Sequence, residues 1–213
     1  MSGQERRCGP RNGHSEVAVF YAEGDYPEET TELQKHELFT AGGWDVIPIP
    51  SVEGEWSPEK ERAYLVSVGF EGSKTLRLIS RAEPDLVYVL LPDPGVKEEY
   101  VARALAQNSS LIDMLRDESE DIVRANAGDA IEAWKKLDEA AVEDRRAANF
   151  YYACCGTKPH SLALALRASV LKHPAVLYIV PDRHKVVDVR PLGVYWRFDL
   201  RDMTSLTGSD DVR

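Results

Sequence analysis

Short apolar runs alternate with longer segments of helical periodicity from about residue 62 onward, and this alternation limits the architectures open to the chain. The apolar runs read AYLVSVGF, PDLVYVLLPD, DIVRANAG, NFYYACCG and PAVLYIVPD. The second run is nearly continuous and bounded by prolines, as is typical of a strand buried on both faces. Strands separated by helices of this length favour a mostly parallel sheet that helices cover on both faces. The sequence therefore predicts the α/β class.

The segments on either side of this alternation are predicted to extend the same domain. Before it, EVAVFYAEG is a predicted strand, and YPEETTELQKHELFTAGG is a predicted helix that ends at Gly42 and Gly43. The next segment, WDVIPIPS, is extended, since its prolines disfavour a central strand. Near the other end, KVVDVRPLGVYWRFDL alternates as a terminal hairpin or an antiparallel edge extension does. We expect one Rossmann-like domain over residues 15–202, with 15–60 as its N-terminal extension and disordered tails at 1–14 and 203–213.

Composition disfavours several classes of function. The chain has 213 residues and a formal net charge of -10, so a basic stripe for long DNA or RNA is not expected. A small anionic ligand needs only local donors. No run approaches the roughly 20 apolar residues of a membrane-spanning helix, and the N-terminus lacks the apolar core of a secretory signal. Cys8, Cys154 and Cys155 have no zinc or disulfide spacing, so we expect a cytoplasmic protein without metal or cofactor.

The loops that follow the five strands hold the candidate site, because ligands of a doubly wound sheet bind at the carboxyl ends of its strands. The candidate ligand-binding residues are Gly69, Phe70, Glu71, Gly72 and Ser73 after the first strand, Asp93 after the second, Gly128 and Asp129 after the third, Gly156, Thr157, Lys158 and His160 after the fourth, and Arg183 and His184 after the fifth. Turn chemistry alone accounts for many of these positions. Asp129 is explained as a helix N-cap, and His160, in a first helical turn, as solvated.

The turn Gly156-Thr157-Lys158 is the sharpest signal of an anion site. Thr157 can cap the following helix, and Pro159 suits the first turn, where a missing N–H costs nothing. The free backbone N–H groups of that turn then point toward the crevice. Lys158 is an unexpected choice beside the positive end of a helix dipole unless an anion binds there. The alternative is that its ammonium group extends into solvent.

The segment CCGTKPHSLALALRA, followed by AVLYIV, resembles the signature of the CARF domain, the CRISPR-associated Rossmann fold. That signature is a strand, a Gly-Gly-Thr-Lys turn and a helix of small apolar residues. Here Cys155 stands where the first glycine usually stands. The stretches GDAIEAWKKLDE and GFEGSKTLRLISRAEPDLVYVLL are similar to other segments of the family, so the resemblance covers residues 62–182.

The resemblance implies a homodimer that binds a cyclic oligoadenylate, or a related nucleotide signal, in a prokaryotic antiviral defence pathway. Nothing after residue 202 resembles the effector that family members commonly carry. The expectation is therefore a sensor that works through a separate partner protein, or a metal-independent ring nuclease that degrades the signal. In a ring nuclease Lys158 would stabilise the phosphorane charge, and Ser73 would supply a hydroxyl. Glu71 would repel phosphate and instead accept a hydrogen bond from a base or ribose.

Two other classes of function stay open. A Rossmann-like nucleotide-binding metabolic enzyme needs a deep pocket within one chain and a titratable base in that pocket. A non-catalytic interaction protein shows an exposed apolar patch and an occluded crevice. The chain has no dinucleotide fingerprint, Walker sequence, nucleophile elbow or His-Glu-x-x-His motif, which favours the signalling hypothesis over a common enzyme class.

Overall fold

A computed structural model describes the greater part of the chain, namely residues 17–26, 39–50, 54–115, 121–141, 148–171, 175–185, 187 and 189–200. The tails predicted at 1–14 and 203–213 lie outside the described residues. The same holds for residues 27–38, which make up most of the helix predicted before Gly42.

Eight strands and five helices occupy the described ranges. The strands are β1 (Val17–Asp25), β2 (Thr40–Pro48), β3 (Glu61–Ser67), β4 (Leu86–Pro92), β5 (Ile122–Ala125), β6 (Ala148–Cys154), β7 (Ala175–His184) and β8 (Arg190–Leu200). The helices are α1 (Gly72–Ala82), α2 (Glu98–Gln107), α3 (Ser109–Met114), α4 (Ala130–Ala141) and α5 (Lys158–Leu171). None of the helices in the described ranges is both long and apolar enough to cross a membrane.

Six strands form one sheet in the order β2-β7-β6-β3-β4-β5. The five strands from β7 to β5 are parallel, and β2 joins the edge antiparallel to β7. Because side chains alternate along a strand, Leu65 packs toward α4 and α5 on one face, whereas Val66 packs toward α1 and α3 on the other. The predicted α/β, Rossmann-like class with helices on both faces is confirmed.

The remaining strands, β1 and β8, form a separate antiparallel pair that we call the ribbon. Val17 pairs with Leu200 and Tyr21 with Trp196, so the two ends of the described chain lie side by side. Phe198 of the ribbon is 4% exposed and packs into the core on the α4 and α5 side. The predicted C-terminal antiparallel extension is confirmed, but its partner is β1 rather than the preceding strand of a hairpin.

The prediction that a helix ends at Gly42 and Gly43 is wrong at the glycines themselves. Both lie inside β2, where the pairing with β7 shifts register between Ala41 and Trp44. Gly42 has a φ of 85°, which a residue without a side chain adopts at little cost. The Gly43 N–H donates a 2.7 Å hydrogen bond to Asp182 Oδ2. The two glycines therefore accommodate a bulge in an edge strand.

The helical region after β4 divides into α2 and α3 at Asn108. The Asn108 side-chain amide donates to the carbonyl oxygens of Ala104, at 2.8 Å, and of Gly69, at 2.7 Å. One side chain thus ends α2 and ties it to the loop after β3. Because α1 starts in that loop, the first turn of α1 lies against the end of α2.

The strand order places a topological switch point between β3 and β6. From β3 the chain moves through α1 to β4 on one side, whereas β6 and β7 lie on the other side. Helices α1 and α5 cover opposite faces of the sheet, so the loops that follow β3 and β6 diverge. Open α/β sheets bind ligands in the crevice that such a divergence leaves.

We expect Gly72→Ala to destabilise the fold by about 1–3 kcal/mol, the usual cost of overpacking. An ideal Cβ at Gly72 would lie 1.9 Å from the Gln107 carbonyl oxygen, so α1 and α2 would have to move apart. Helix propensity alone would favour alanine by about 1 kcal/mol, so a net loss identifies the clash. Urea unfolding measures the change, with Ser73→Ala as the neighbouring control; an unchanged or raised midpoint for Gly72→Ala would contradict the packing.

Candidate functional site

A cavity of about 290 Å³ opens at the switch point, between the carboxyl ends of β3 and β6. The loops after these two strands form its centre, and residues of β1, β2, α2, β7 and the loops after β4 and β5 complete its wall. Seven predicted site residues line the cavity: Gly69, Phe70, Glu71, Gly156, Thr157, Lys158 and His184. These residues come from three separate loops of the sequence, and the fold brings them to one crevice.

The loops after β3 and β6 approach each other closely beneath the cavity. The buried Ser67 hydroxyl, at the end of β3, accepts hydrogen bonds from the N–H groups of Cys155, at 3.2 Å, and Gly156, at 3.0 Å. An ideal Cβ at Gly156 would lie 2.7 Å from the Val68 carbonyl oxygen, so this position admits only glycine without rearrangement. Sequence reasoning missed Ser67, although a serine inside an otherwise apolar strand was a usable signal.

Helix α5 begins at the cavity. The Thr157 hydroxyl donates to the Ala127 carbonyl oxygen at 2.8 Å and accepts from the His160 N–H at 3.4 Å. The prediction that Thr157 caps this helix is therefore confirmed. Lys158, the first residue of α5, lines the cavity with an exposed side chain that has no hydrogen-bond or ion-pair partner among the described residues. A positive charge thus stands unpaired at the positive end of a helix.

Glu71 and Lys74 form a largely buried ion pair in the cavity wall. The Lys74 ammonium lies 3.3 Å from Glu71 Oε2, and the two side chains are 9% and 16% exposed. Glu71 Oε1 accepts from the N–H groups of Phe39 and Thr40 and, at 2.8 Å, from the Thr40 hydroxyl. Both carboxylate oxygens are thus used to hold the start of β2 against α1. Sequence reasoning missed Lys74, whose position one turn after Glu71 on a helix allows the pairing.

Four aromatic rings line the side of the cavity between β1, β2 and α2. Tyr26 makes edge-to-face contacts with Phe39, Phe70 and Tyr100, at ring-centroid distances of 5.6, 5.5 and 5.7 Å. The Arg103 guanidinium carbon lies 4.2 Å from the Phe70 ring centroid. We call Tyr26, Phe39, Phe70 and Tyr100 the aromatic wall. Of these, sequence reasoning proposed Phe70 alone, because the other three come from separate elements.

Two hydrogen bonds fix the aromatic wall. The Tyr26 N–H donates to the Tyr100 hydroxyl at 2.8 Å, and that hydroxyl donates to Asp25 Oδ1 at 3.0 Å. Lys97 also pairs with Asp25 Oδ1 at 2.6 Å. Burial raises the pKa of the Tyr26 phenol, which therefore stays protonated at neutral pH. The wall thus combines aromatic rings with a neutral Tyr26 hydroxyl that is hydrogen-bonded to the Tyr21 side chain.

Two thiols contribute to the cavity lining without being nucleophiles. Burial raises the pKa of Cys154 to about 11 and that of Cys155 to about 12. A nucleophilic cysteine needs a lowered pKa, because the thiolate is the reactive form. The two buried thiols therefore act as small apolar side chains in the cavity lining.

Two glycines predicted to bind ligand are used for packing instead of lining the cavity. Gly72 supports the end of α2 as described above. An ideal Cβ at Gly128 would lie 2.2 Å from Trp196 Nε1 and 2.6 Å from Glu23 Oε1. Gly128 therefore makes room for the ribbon to lie against the loop after β5.

Five further predicted residues do not line the cavity. Ser73, to which the resemblance assigns a hydroxyl role, is half-buried on α1, and Arg183 is exposed on β7. Asp93 pairs with Arg124 of the next strand. Asp129 Oδ1 accepts from the N–H groups of Ile131 and Glu132 at 2.9 and 3.0 Å, which confirms the predicted N-cap of α4. The fifth residue is His160.

His160 is fully buried under the loop after β5, so the expectation of a solvated ring is wrong. Its Nε2 lies 3.0 Å from the Asn126 carbonyl oxygen, and its Nδ1 has no hydrogen-bond partner. Burial lowers the pKa of His160 to about 4, which leaves a neutral ring whose Nε2–H donates to Asn126 at physiological pH. The ring therefore joins the first turn of α5 to the loop after β5.

No metal centre is evident in the described residues, where no three His, Cys, Asp or Glu side chains gather in a way that could hold an ion. Comparisons with models of protein families, with curated proteins and with solved structures find no match to this chain. The resemblance to CARF domains therefore stays a prediction.

The buried His160 predicts a loss of stability in mild acid. The unfolded chain binds a proton near pH 6.5 and the folded chain only near pH 4, so the unfolded state binds more protons between these values. Stability then falls as the pH drops through this window, by about 3 kcal/mol in total at about 1.4 kcal/mol per pKa unit.

Urea unfolding of His160→Gln between pH 7.5 and 4 tests this expectation. Glutamine keeps an N–H donor for the Asn126 carbonyl oxygen and does not titrate, so the acid loss should shrink. His184→Gln, which changes an exposed histidine, is the control. An identical pH dependence in wild type and His160→Gln would show that the buried ring does not cause the acid loss.

Proposed function

We propose that this cavity binds a nucleotide, with a phosphate group at Lys158 and the base against the aromatic wall. The observation that carries the proposal is an unpaired, exposed lysine at the N-terminus of a helix, next to a wall of aromatic rings, at the switch point of the sheet. These are the two kinds of surface that a nucleotide needs.

The phosphate end rests on the start of α5. A helix N-terminus offers unused N–H donors and a partial positive charge, and a lysine ammonium adds a full charge. The other lysine of the cavity, Lys74, is already neutralised by Glu71. Lys158 is therefore the cation available to a phosphate.

The base end rests on the aromatic wall. Its four rings line the cavity and come from just after β1, just before β2, the loop after β3, and α2. Stacking of a base on such a ring contributes about 1–3 kcal/mol. Arg103 lies over Phe70 at 4.2 Å, which supports the orientation of that ring. Apolar walls with a few polar groups are typical of small-molecule sites.

The size of the cavity suits one nucleotide unit in each chain. Its volume of about 290 Å³ lies at the low end of the roughly 300–1,000 Å³ that small-molecule sites span. A cyclic oligoadenylate exceeds this space and would have to be shared by two protomers. Together with the CARF resemblance, this favours a homodimer that binds the signal across its axis and acts through a separate effector.

Sensing is favoured over cleavage of the signal. The resemblance assigns Lys158 and Ser73 to a ring nuclease, and Ser73 does not line the cavity. Thr157, next to Lys158, has a hydroxyl group, but that hydroxyl donates to the Ala127 carbonyl oxygen. A metabolic nucleotide-binding enzyme is the alternative, favoured by the buried carboxylate of Glu23 in a cavity within one chain.

We expect a cyclic oligoadenylate to raise the melting temperature of the purified protein, and Lys158→Ala to abolish the shift. A ligand at a hundredfold excess over its dissociation constant stabilises the folded state by about 2.7 kcal/mol. A thermal-shift panel of cyclic tri-, tetra- and hexa-adenylate, cyclic dinucleotides, ATP, NAD and phosphate measures the effect. Lys135→Ala, which removes an exposed lysine of α4, is the matched control.

Each outcome of the panel separates one hypothesis from the others. A Lys158-dependent shift with a cyclic oligonucleotide supports the sensor, and chromatography of the same sample shows whether the ring is opened. A shift with a mononucleotide alone that survives Lys158→Ala contradicts the signalling proposal and favours a metabolic enzyme. No shift with any nucleotide contradicts nucleotide binding.

We expect Phe70→Leu to weaken nucleotide binding by about 5- to 150-fold, the loss of one stacked base. Binding of ribose 5-phosphate, which has no base, should change little, since Lys158 is intact. Titration calorimetry with both compounds measures the difference. An equal loss for both would indicate that the variant distorts the whole cavity, and no loss for either would remove the aromatic wall from the proposal.

A further inference from the structure

The ribbon contributes a buried carboxylate to the cavity. Glu23 of β1 lines it, with only 6% of the residue exposed. Its Oε1 accepts a 2.7 Å hydrogen bond from Trp196 Nε1 across the ribbon. Its Oε2 has no hydrogen-bond partner among the described residues. A side chain more than nine-tenths buried thus presents an unpartnered acceptor at the wall of the site.

The position of this carboxylate is closely fixed. Gly128 lies directly against it, so that an ideal Cβ there would be 2.6 Å from Glu23 Oε1 and 2.2 Å from Trp196 Nε1. With Oε1 held by the indole, Oε2 is the oxygen left to the cavity, and it is not fully enclosed by protein atoms. A ligand that fills the cavity displaces water from Oε2, and leaving a charged oxygen there without a partner is unfavourable, so a ligand that donates a hydrogen bond to it is favoured.

The cations of the cavity do not neutralise Glu23. The Lys74 ammonium pairs with Glu71, and no ion pair joins Glu23 to Lys158 within 4.0 Å among the described residues. The cavity therefore has an unpaired cation on α5 and an unpaired carboxylate oxygen on β1. An anionic group is attracted to the first and repelled by the second, which gives a nucleotide a single favourable orientation.

We propose that Glu23 Oε2 accepts a hydrogen bond from the nucleoside part of the bound nucleotide and so determines which nucleoside binds. This proposal rests on the proposed function, since it concerns the same cavity. The group that it recognises is a hydrogen-bond donor, which is either the exocyclic amine of adenine or a ribose hydroxyl. Nucleosides that present only an acceptor there bind more weakly, because the carboxylate stays unpartnered.

The test compares adenosine 5′-monophosphate with two analogues, by calorimetry on the full chain. Inosine 5′-monophosphate replaces the exocyclic amine by a carbonyl, and 2′-deoxyadenosine 5′-monophosphate lacks one ribose hydroxyl. We expect wild type to prefer the parent nucleotide over one of them by about tenfold or more. Discrimination against inosine identifies the amine as the donor, and discrimination against the deoxy compound identifies the ribose.

Glu23→Gln should remove that preference. The indole N–H of Trp196 needs an acceptor, so the amide oxygen turns toward it and the amide –NH₂ group faces the cavity. The ligand then meets the amide –NH₂ donor in place of the Oε2 acceptor. If wild type prefers adenosine 5′-monophosphate because of its exocyclic amine, the variant should shift toward inosine 5′-monophosphate, whose carbonyl can accept. Glu61→Gln, at the opposite end of β3 from the cavity, is the matched control and should keep the wild-type preference.

The outcomes distinguish this inference from the proposed function. Lys158-dependent binding with an unchanged preference in a folded Glu23→Gln protein overturns the role of Glu23 and leaves the nucleotide site standing. If the variant does not fold, the wild-type comparison decides, because equal affinity for all three nucleotides overturns the inference. Wild type that binds none of the three, and ribose 5-phosphate no better, contradicts both proposals.

Discussion

The hydroxyl group of Ser67 joins the two strands on which the candidate site depends. It lies at the end of β3, fully buried, and accepts from two successive N–H groups after β6. Unpaired N–H groups in the interior are costly, so a small acceptor at this point stabilises a tight turn that could not otherwise be buried. The turn leaves no room for a side chain at Gly156, and it sets the start of α5. The position of Lys158, the first residue of α5, therefore depends on contacts at the ends of β3 and β6.

The ribbon completes a cavity that the sheet alone would leave open. Its two strands come from opposite ends of the described chain and pair from Val17 to Asp25, with a shift of register between Ala22 and Gly24. Phe198 anchors the ribbon in the core, while Trp196 and Glu23 lie against Gly128 in the loop after β5. Tyr26, directly after β1, begins the aromatic wall. The ribbon therefore also positions the first ring of the aromatic wall.

Sequence patterns predicted the sheet, its helices and the loops that reach the cavity, because periodicity and turn chemistry are local properties. They did not predict which side chains of those loops line the cavity. Asp93 turns to Arg124, Gly128 lies under Trp196, and His160 is buried against Asn126. Each partner comes from another element, so loop position alone does not reveal it. The ribbon was harder still, since a pairing between the two ends of the chain leaves no local signal.

Because the net charge is -10, binding of an anion to this chain depends on the local arrangement of charges. A chain this acidic has no net positive field that would attract a phosphate from a distance, and beyond the Debye length, about 8 Å at physiological ionic strength, the interactions of exposed charges are largely screened. Binding has to come from contacts inside the crevice, where solvent screens less. In the proposed function, Lys158 and the first turn of α5 supply those contacts, whereas the charge of Lys74 is already paired with Glu71. The same acidity disfavours long nucleic acids, which need many cations in a row, and leaves a small anionic ligand with an aromatic part as the class that fits.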